Sequence, residues 1–301
     1  MSRPRKPAPG SPHGMVRGPR SPSTSRGPRK PAAAPPARPP AAARDVGWDN
    51  VSSWYDKLVG DEGSDYHRAV ILPAALRLLA PLEGARVLDV CCGQGVLARW
   101  LADAGIAAYC GVDASPQLID AARRRAGQLS DGVPKRFEVA DLTAPDALRP
   151  LGESFDAAAC LMAIHDVRDA GALFRNIASA LRPRGRLVVI GLHPCFRIPR
   201  QSSWGWDEAR KMQYRRLDRY QTPLEIPIAT HPGRNDGKQT AFHHRSLSAY
   251  VESMTGAGFV ITALEELLSH RRAAPGGHSR GENRAAEEFP IFVALVGRLG
   301  V

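Results

Sequence analysis

Two apolar patterns alternate along most of this chain. Short continuous apolar runs, bounded by Gly, Pro or Asp, read as strands buried on both faces of a sheet; stretches with apolar residues three and four apart read as helices with one buried face. The spacing predicts strands around Val87–Val90, at Ile106–Val112, Arg136–Ala140, Phe155–Met162 and Leu187–Leu192. Helices are predicted between them: Leu97–Ala104 stopped by Gly105, one opened by Ser115 as N-cap with Pro116 at its first position, and 169–181 with Leu173, Phe174, Ile177 and Leu181 on one face before Pro183 and Gly185. Strand and helix in strict alternation define an α/β, doubly wound parallel sheet with right-handed crossovers.

The flanks are less regular. Trp54, Tyr55, Leu58 and Val59 suggest a short helix with an aromatic face, and a second follows near Tyr66–Ala80, with Pro73 near its start or at a kink. Residues 194–244 interrupt the alternation with Trp204, Trp206, Tyr214, Tyr220 and Phe242 among Arg, Pro and Gly. An insertion of that length at a sheet's carboxyl edge is expected to cover a substrate. Ser246–Gly256 reads as a further helix, Phe259–Leu264 and Pro290–Val296 as the last strands, and the polar, Gly-containing 270–288 as a mobile loop.

Composition changes this picture at one end. Residues 1–44 hold 12 of the 26 prolines and ten of the 41 Lys and Arg, with no acidic or aromatic residue, so they bury too little to offset ordering entropy. They are expected to be a disordered, solvated tail, with translation starting at Met15 as the alternative to Met1. The remaining 31 basic residues face 30 acidic ones, so the formal charge of +11 belongs to the tail and the body, 45–301, is nearly neutral. Its neutrality speaks against a nucleic-acid groove, although the tail could bind phosphates weakly. The five cysteines show neither a paired framework nor metal-ligand spacing, which suits reduced thiols in the cytoplasm, and no apolar run reaches the roughly 18 residues of a membrane helix.

The chemistry concentrates where the first strand breaks into glycines, in Leu88-Asp-Val-Cys-Cys-Gly-Gln-Gly95. Gly93 and Gly95 permit a tight turn and leave room for a nucleotide-like cofactor. Gly93-x-Gly95-x-x-Ala98, followed by Asp113, also satisfies the dinucleotide fingerprint. Asp89 decides between the two, because a carboxylate facing the turn repels a pyrophosphate and attracts a cation.

In these residues the chain resembles the class I S-adenosylmethionine-dependent methyltransferases of small-molecule type, with Cys91 where that family has glycine. The resemblance covers about 48–298 and implies a seven-stranded Rossmann-like sheet in the order 3-2-1-4-5-7-6 under an N-terminal helical cap, to which Trp54-Tyr-Asp-Lys-Leu-Val-Gly60 and Tyr66-His67-Arg68 are similar. It implies S-adenosyl-L-methionine as cofactor, held by Asp89, Gly93, Gly95, Asp113, Ala114, Asp141, Leu142 and Met162, with Asp113 on the ribose hydroxyls and Asp141-Leu142 at the adenine.

In-line methyl transfer needs positioning above all, and a general base helps where the acceptor is a hydroxyl or ammonium. His165, His193 and His244, with His243 beside it, are the candidates, and no metal site is expected. The reading is a methyltransferase acting on a small-molecule acceptor. Its rivals are an RNA or other nucleic-acid methyltransferase, a nicotinamide oxidoreductase and a non-catalytic cofactor-binding protein. Pro194-Cys195 follows the fifth strand, whereas cytosine-C5 enzymes carry their Pro-Cys pair after the fourth; the Asn-Pro-Pro-Tyr of base N-methylation is missing.

Overall fold

A computed structural model describes residues 48–300 apart from 81, 153 and 230–238; the expected tail, 1–44, lies outside the described residues. A 3-10 turn, Trp48–Val51, leads into α1 (Ser52–Val59), and a π-type turn, His67–Ile71, runs directly into α2 (Leu72–Leu79). Pro73 sits in the first turn of α2, just after the π-type turn, where the helix changes its hydrogen-bond pattern around the missing N–H.

The alternation then unfolds as β1 (Arg86–Val90), α3 (Val96–Trp100), β2 (Ala108–Asp113), α4 (Pro116–Ala126), β3 (Lys135–Val139), β4 (Phe155–Leu161), α5 (Ala170–Ala180) and β5 (Leu181–Leu192). Two hairpins follow, β6 (Ser202–Asp207) with β7 (Met212–Leu217) and β8 (Leu224–Ala229) with β9 (Gln239–His244). The chain closes with α6 (Leu247–Gly256), β10 (Phe259–Leu267), α7 (Ser279–Glu288) and β11 (Phe292–Leu299).

The main sheet has seven strands in the order β3-β2-β1-β4-β5-β11-β10. The first five are parallel, and β11 runs antiparallel to both β5 and β10. Counted within this sheet alone, that is the expected 3-2-1-4-5-7-6. Alternate strand residues point to opposite faces. Val87, Ala157, Ala159, Val188 and Ile190 pack under Ile71, Leu72, Leu79 and Leu97, whereas Leu88, Val90, Ala158, Cys160 and Val189 pack against Leu173, Phe174, Ile177 and Met254. Burial on both faces is why the strands read as continuous apolar runs.

Three stretches depart from the expected elements. α3 ends at Trp100 and gives way to turns well before Gly105. β5 begins at Leu181, because Pro183 and Gly185 interrupt its pairing without ending it: Phe155 pairs with Leu181 and Ala157 already with Arg186, so 182–185 bulge out. The stretch 270–288 contains α7, which is polar on its exposed side and buries only the small Gly281 and Ala285. A helix resting on two small residues lacks the apolar stripe by which such helices are recognised.

Candidate functional site

The carboxyl ends of β1, β2, β3 and β4 converge on one cleft, the position where open parallel sheets bind ligands. After β1, Cys91 takes φ 54° and Gly93 φ 55°, a left-handed path that glycine adopts freely and cysteine does not. A Cβ on Gly93 would stand 3.2 Å from the Tyr55 ring, so the turn can lie close under α1 only as glycine. Gly95 serves packing instead: its missing Cβ makes room for Phe137 and Ala122 below the cleft.

Asp113 ends β2, and Ser115 caps α4 by accepting from the Leu118 N–H. The two Asp113 oxygens accept the Gly93 and Ser115 N–H groups at 2.9 Å each, which fixes the carboxylate against the cleft. Ala114, Leu142 and Met162 line the cleft with Asp113 and Gly93. Asp141 lines it too, exposed, with Oδ1 accepting from the Thr143 N–H and hydroxyl at 2.9 and 2.7 Å. Asp89 does not reach the cleft wall: it is buried behind it, accepting from the Tyr109 hydroxyl at 2.6 Å.

Asp89, Asp113 and Asp166 give this region its electrostatics. Burial pushes all three carboxyls up, Asp89 to about 7 and Asp166 well above the usual range, and the negative charge of Asp113 raises Asp89 and Asp166 further. Carboxylates crowded this way favour a cation among them and disfavour a pyrophosphate. The donor set therefore fits S-adenosylmethionine: apolar Leu118, Leu142, Met162 and Val167 can flank a flat base, Asp113 can accept from hydroxyls, and the acids suit a sulfonium and an ammonium.

A second cavity of about 510 Å³ adjoins the cleft and shares Trp48, Tyr55, Met162 and Asp166 with it. Its walls are mainly apolar, with Leu58, Ile71, Leu192, Ile228, Phe242 and Phe292 among them, and the β8–β9 hairpin forms one side. That hairpin holds its place by packing Ile226 and Phe242 with Ile198 against Leu192. The covering role expected of 194–244 thus falls to β8–β9, whereas β6–β7 lies against α7 and lines neither cavity.

His165, on the turn after β4, lines the second cavity. Its Nδ1 is buried without a hydrogen bond, and burial lowers its pKa to about 4. The other candidate histidines are held elsewhere. His193 lies between Glu266, which accepts from Nε2 at 2.8 Å, and the Cys195 N–H, which donates to Nδ1 at 3.1 Å. His244 donates from Nε2 to the Tyr220 carbonyl at 2.6 Å. His243 lines neither cavity; its N–H donates to the His165 carbonyl at 2.6 Å.

Trp48 and Asp166 were not expected at the site. Trp48 reaches it by packing edge-to-face on Tyr55, ring centroids 5.2 Å apart. Asp166 stands next to the candidate His165 after the fourth strand, but nothing in the residue pattern says which of the two neighbouring polar side chains turns inward. Among the described residues no group of three or more His, Cys, Asp or Glu is placed to hold a metal ion, and no helix is long and apolar enough to cross a membrane.

The descriptor of the methyltransferase-domain family matches residues 65–263, and the chain belongs to that family. Its fold is that of the class I S-adenosylmethionine-dependent enzymes, whose cofactor is S-adenosylmethionine. A solved S-adenosylmethionine-dependent methyltransferase from Mesorhizobium loti is 28% identical, with a TM-score of 0.56 over 75% of this chain and 96% of its own. A glycopeptide N-methyltransferase complexed with S-adenosylmethionine shares the fold at 16% identity, with a TM-score of 0.51 over 76% of this chain and 92% of its own. A ubiquinone biosynthesis O-methyltransferase of Xylella fastidiosa is 38% identical over 109 residues, 36% of this chain and 42% of that protein, so the chain matches less than half the length of this curated relative.

Proposed function

We propose that the protein transfers the methyl group of S-adenosylmethionine to a hydroxyl of a small, mostly apolar acceptor. The observation that carries this reading is the pair of adjoining cavities sharing Trp48, Tyr55, Met162 and Asp166, one fitting the cofactor and the other of small-ligand size and apolar walls. The O-methyltransferase name of the partial relative supports a hydroxyl as acceptor.

The bound cofactor supplies an electrophilic methyl on a sulfonium. The chain's own residues do the rest. Trp48, Tyr55 and Met162 narrow the passage between the cavities and align what meets there, and such positioning supplies about 7–11 kcal/mol of a barrier. Leu58, Ile71, Phe242 and Phe292 keep water away from the acceptor. His165 is neutral at neutral pH, since burial lowers its pKa to about 4, so a ring nitrogen of the neutral imidazole can take the acceptor's proton.

His165→Gln tests the assignment, with labelled methyl transfer to a panel of alkyl-substituted phenols as readout. We expect turnover to fall by about 10²-fold or more, the scale of a lost general base, with cofactor affinity unchanged. Undiminished turnover would remove His165 from the reaction.

A further inference from the structure

One carboxylate at the meeting point of the two cavities has no hydrogen-bond partner among the described residues. Asp166 lines both cavities, and its side chain retains 15% exposure. Its nearest ionisable partner is His165 Nε2 at 3.8 Å, too far for a hydrogen bond. The neighbouring acids are engaged otherwise: Asp89 by the Tyr109 hydroxyl, Asp113 by the Gly93 and Ser115 N–H groups, Asp141 by Thr143.

Methyl transfer changes the charge at this junction. The methyl-bearing cofactor is a sulfonium cation and the demethylated product a neutral thioether, so a side chain that pairs with the cation distinguishes the two. We propose that Asp166 is that side chain: it binds the positive charge of the incoming cofactor and loses its partner once the methyl has left, which favours product release. The inference rests on the reading that the cleft takes S-adenosylmethionine.

The surroundings fix the accompanying proton change. Tyr55 from α1 and Tyr250 from α6 face Asp166 with hydroxyls pushed up by burial, Tyr250 to about 12, and stay neutral. His165 stays neutral from the other direction. Asp113 adds negative charge from the end of β2, and Arg168, on the same turn, is drawn toward Glu225 at 3.5 Å. Burial and Asp113 therefore make Asp166 hold its proton more tightly than an ordinary carboxyl in the free protein, and a cation beside it favours loss of that proton. Affinity for the cofactor should rise with pH until Asp166 ionises in the free protein, whereas affinity for the neutral product should stay level.

Calorimetry of S-adenosylmethionine and S-adenosylhomocysteine binding to the full chain, wild type and Asp166→Asn, tests this. Buffers of different ionisation heat count the protons released. Wild type should prefer the cofactor and release a proton with it but not with the product. In Asp166→Asn the preference should fall by about ten- to hundredfold, the loss expected of a charged contact, with product affinity retained as evidence of an intact fold. An unchanged preference, or proton release that persists in the variant and so belongs to Asp89 or Asp113, would overturn the proposal. If Asp166→Asn does not fold, Asp166→Ala is measured in its place against the same outcomes, and equal proton release with both ligands, or none, by the wild type overturns the proposal. A wild type that binds neither ligand would overturn the underlying reading as well.

Discussion

Asp89 is a carboxyl enclosed under the glycine turn, 3% exposed, with its pKa raised to about 7. Burial is the main cause, the Tyr109 hydroxyl opposes it, and the charge of Asp113 adds to it. The folded protein then holds this proton more tightly than the unfolded chain, where the value is 3.8. Stability from this group is full below the unfolded value and is lost as pH rises toward 7. A shift of this size corresponds to about 4 kcal/mol in all. In the absence of cofactor, Asp89→Asn should raise the melting temperature at pH above about 7 and have little effect below about pH 4. Melting curves across that range check it, and an unaltered pH dependence would show that Asp89 is not the group responsible. The residue scale is also where sequence reading reached its limit. Asp113, Asp141 and the Gly93 turn follow from their places at strand ends, because backbone topology sets them. Asp89 and Asp166 depend on which way a side chain turns, Asp89 behind the wall and Asp166 through it, and neighbouring residues carry no trace of that.

Among the elements, the central sheet was readable because each strand is buried on both faces and each connecting helix carries a one-sided apolar stripe. The bulge of β5 was not: Pro183 and Gly185 look like a break, and only pairing with β4 shows the strand continuing across them. α7 escaped notice for a different reason. It meets the β6–β7 hairpin through Gly281, whose absent Cβ lets the Trp206 ring and the Lys211 carbonyl approach, and through the stack of Trp206 on His278 with centroids 4.0 Å apart. Close approach of small residues leaves no hydrophobic period to read. Gly281→Ala would bring a methyl to 2.7 Å from Trp206 and 2.9 Å from the Lys211 carbonyl, so the helix and hairpin must separate. The cost should be about 1–3 kcal/mol, as for an overpacked core, even though alanine favours helix. We expect earlier denaturant unfolding together with a changed Trp emission, and a more stable variant would show that this contact is not tight.

At the scale of the whole molecule, charge and cavity shape bear on the acceptor together. The exposed β6–β7 hairpin carries Trp204 and Tyr214 beside Arg215 and Arg216, the kind of aromatic and basic surface on which single-stranded RNA can stack. It lines neither cavity, however, and residues 45–301 are nearly neutral. Binding through many phosphates would make activity fall steeply with salt, by roughly 10³–10⁵ in affinity between 50 and 200 mM for six to ten contacts; an enclosed uncharged acceptor leaves activity almost level over that range. The most direct measurement is therefore to incubate the full chain with methyl-labelled S-adenosylmethionine, alkyl-substituted phenols and total RNA at low and moderate salt, then count label in the organic extract and in the RNA. The account predicts label in the extract at both salt concentrations and none above background in the RNA. Label confined to RNA, and lost as salt is raised, would contradict it.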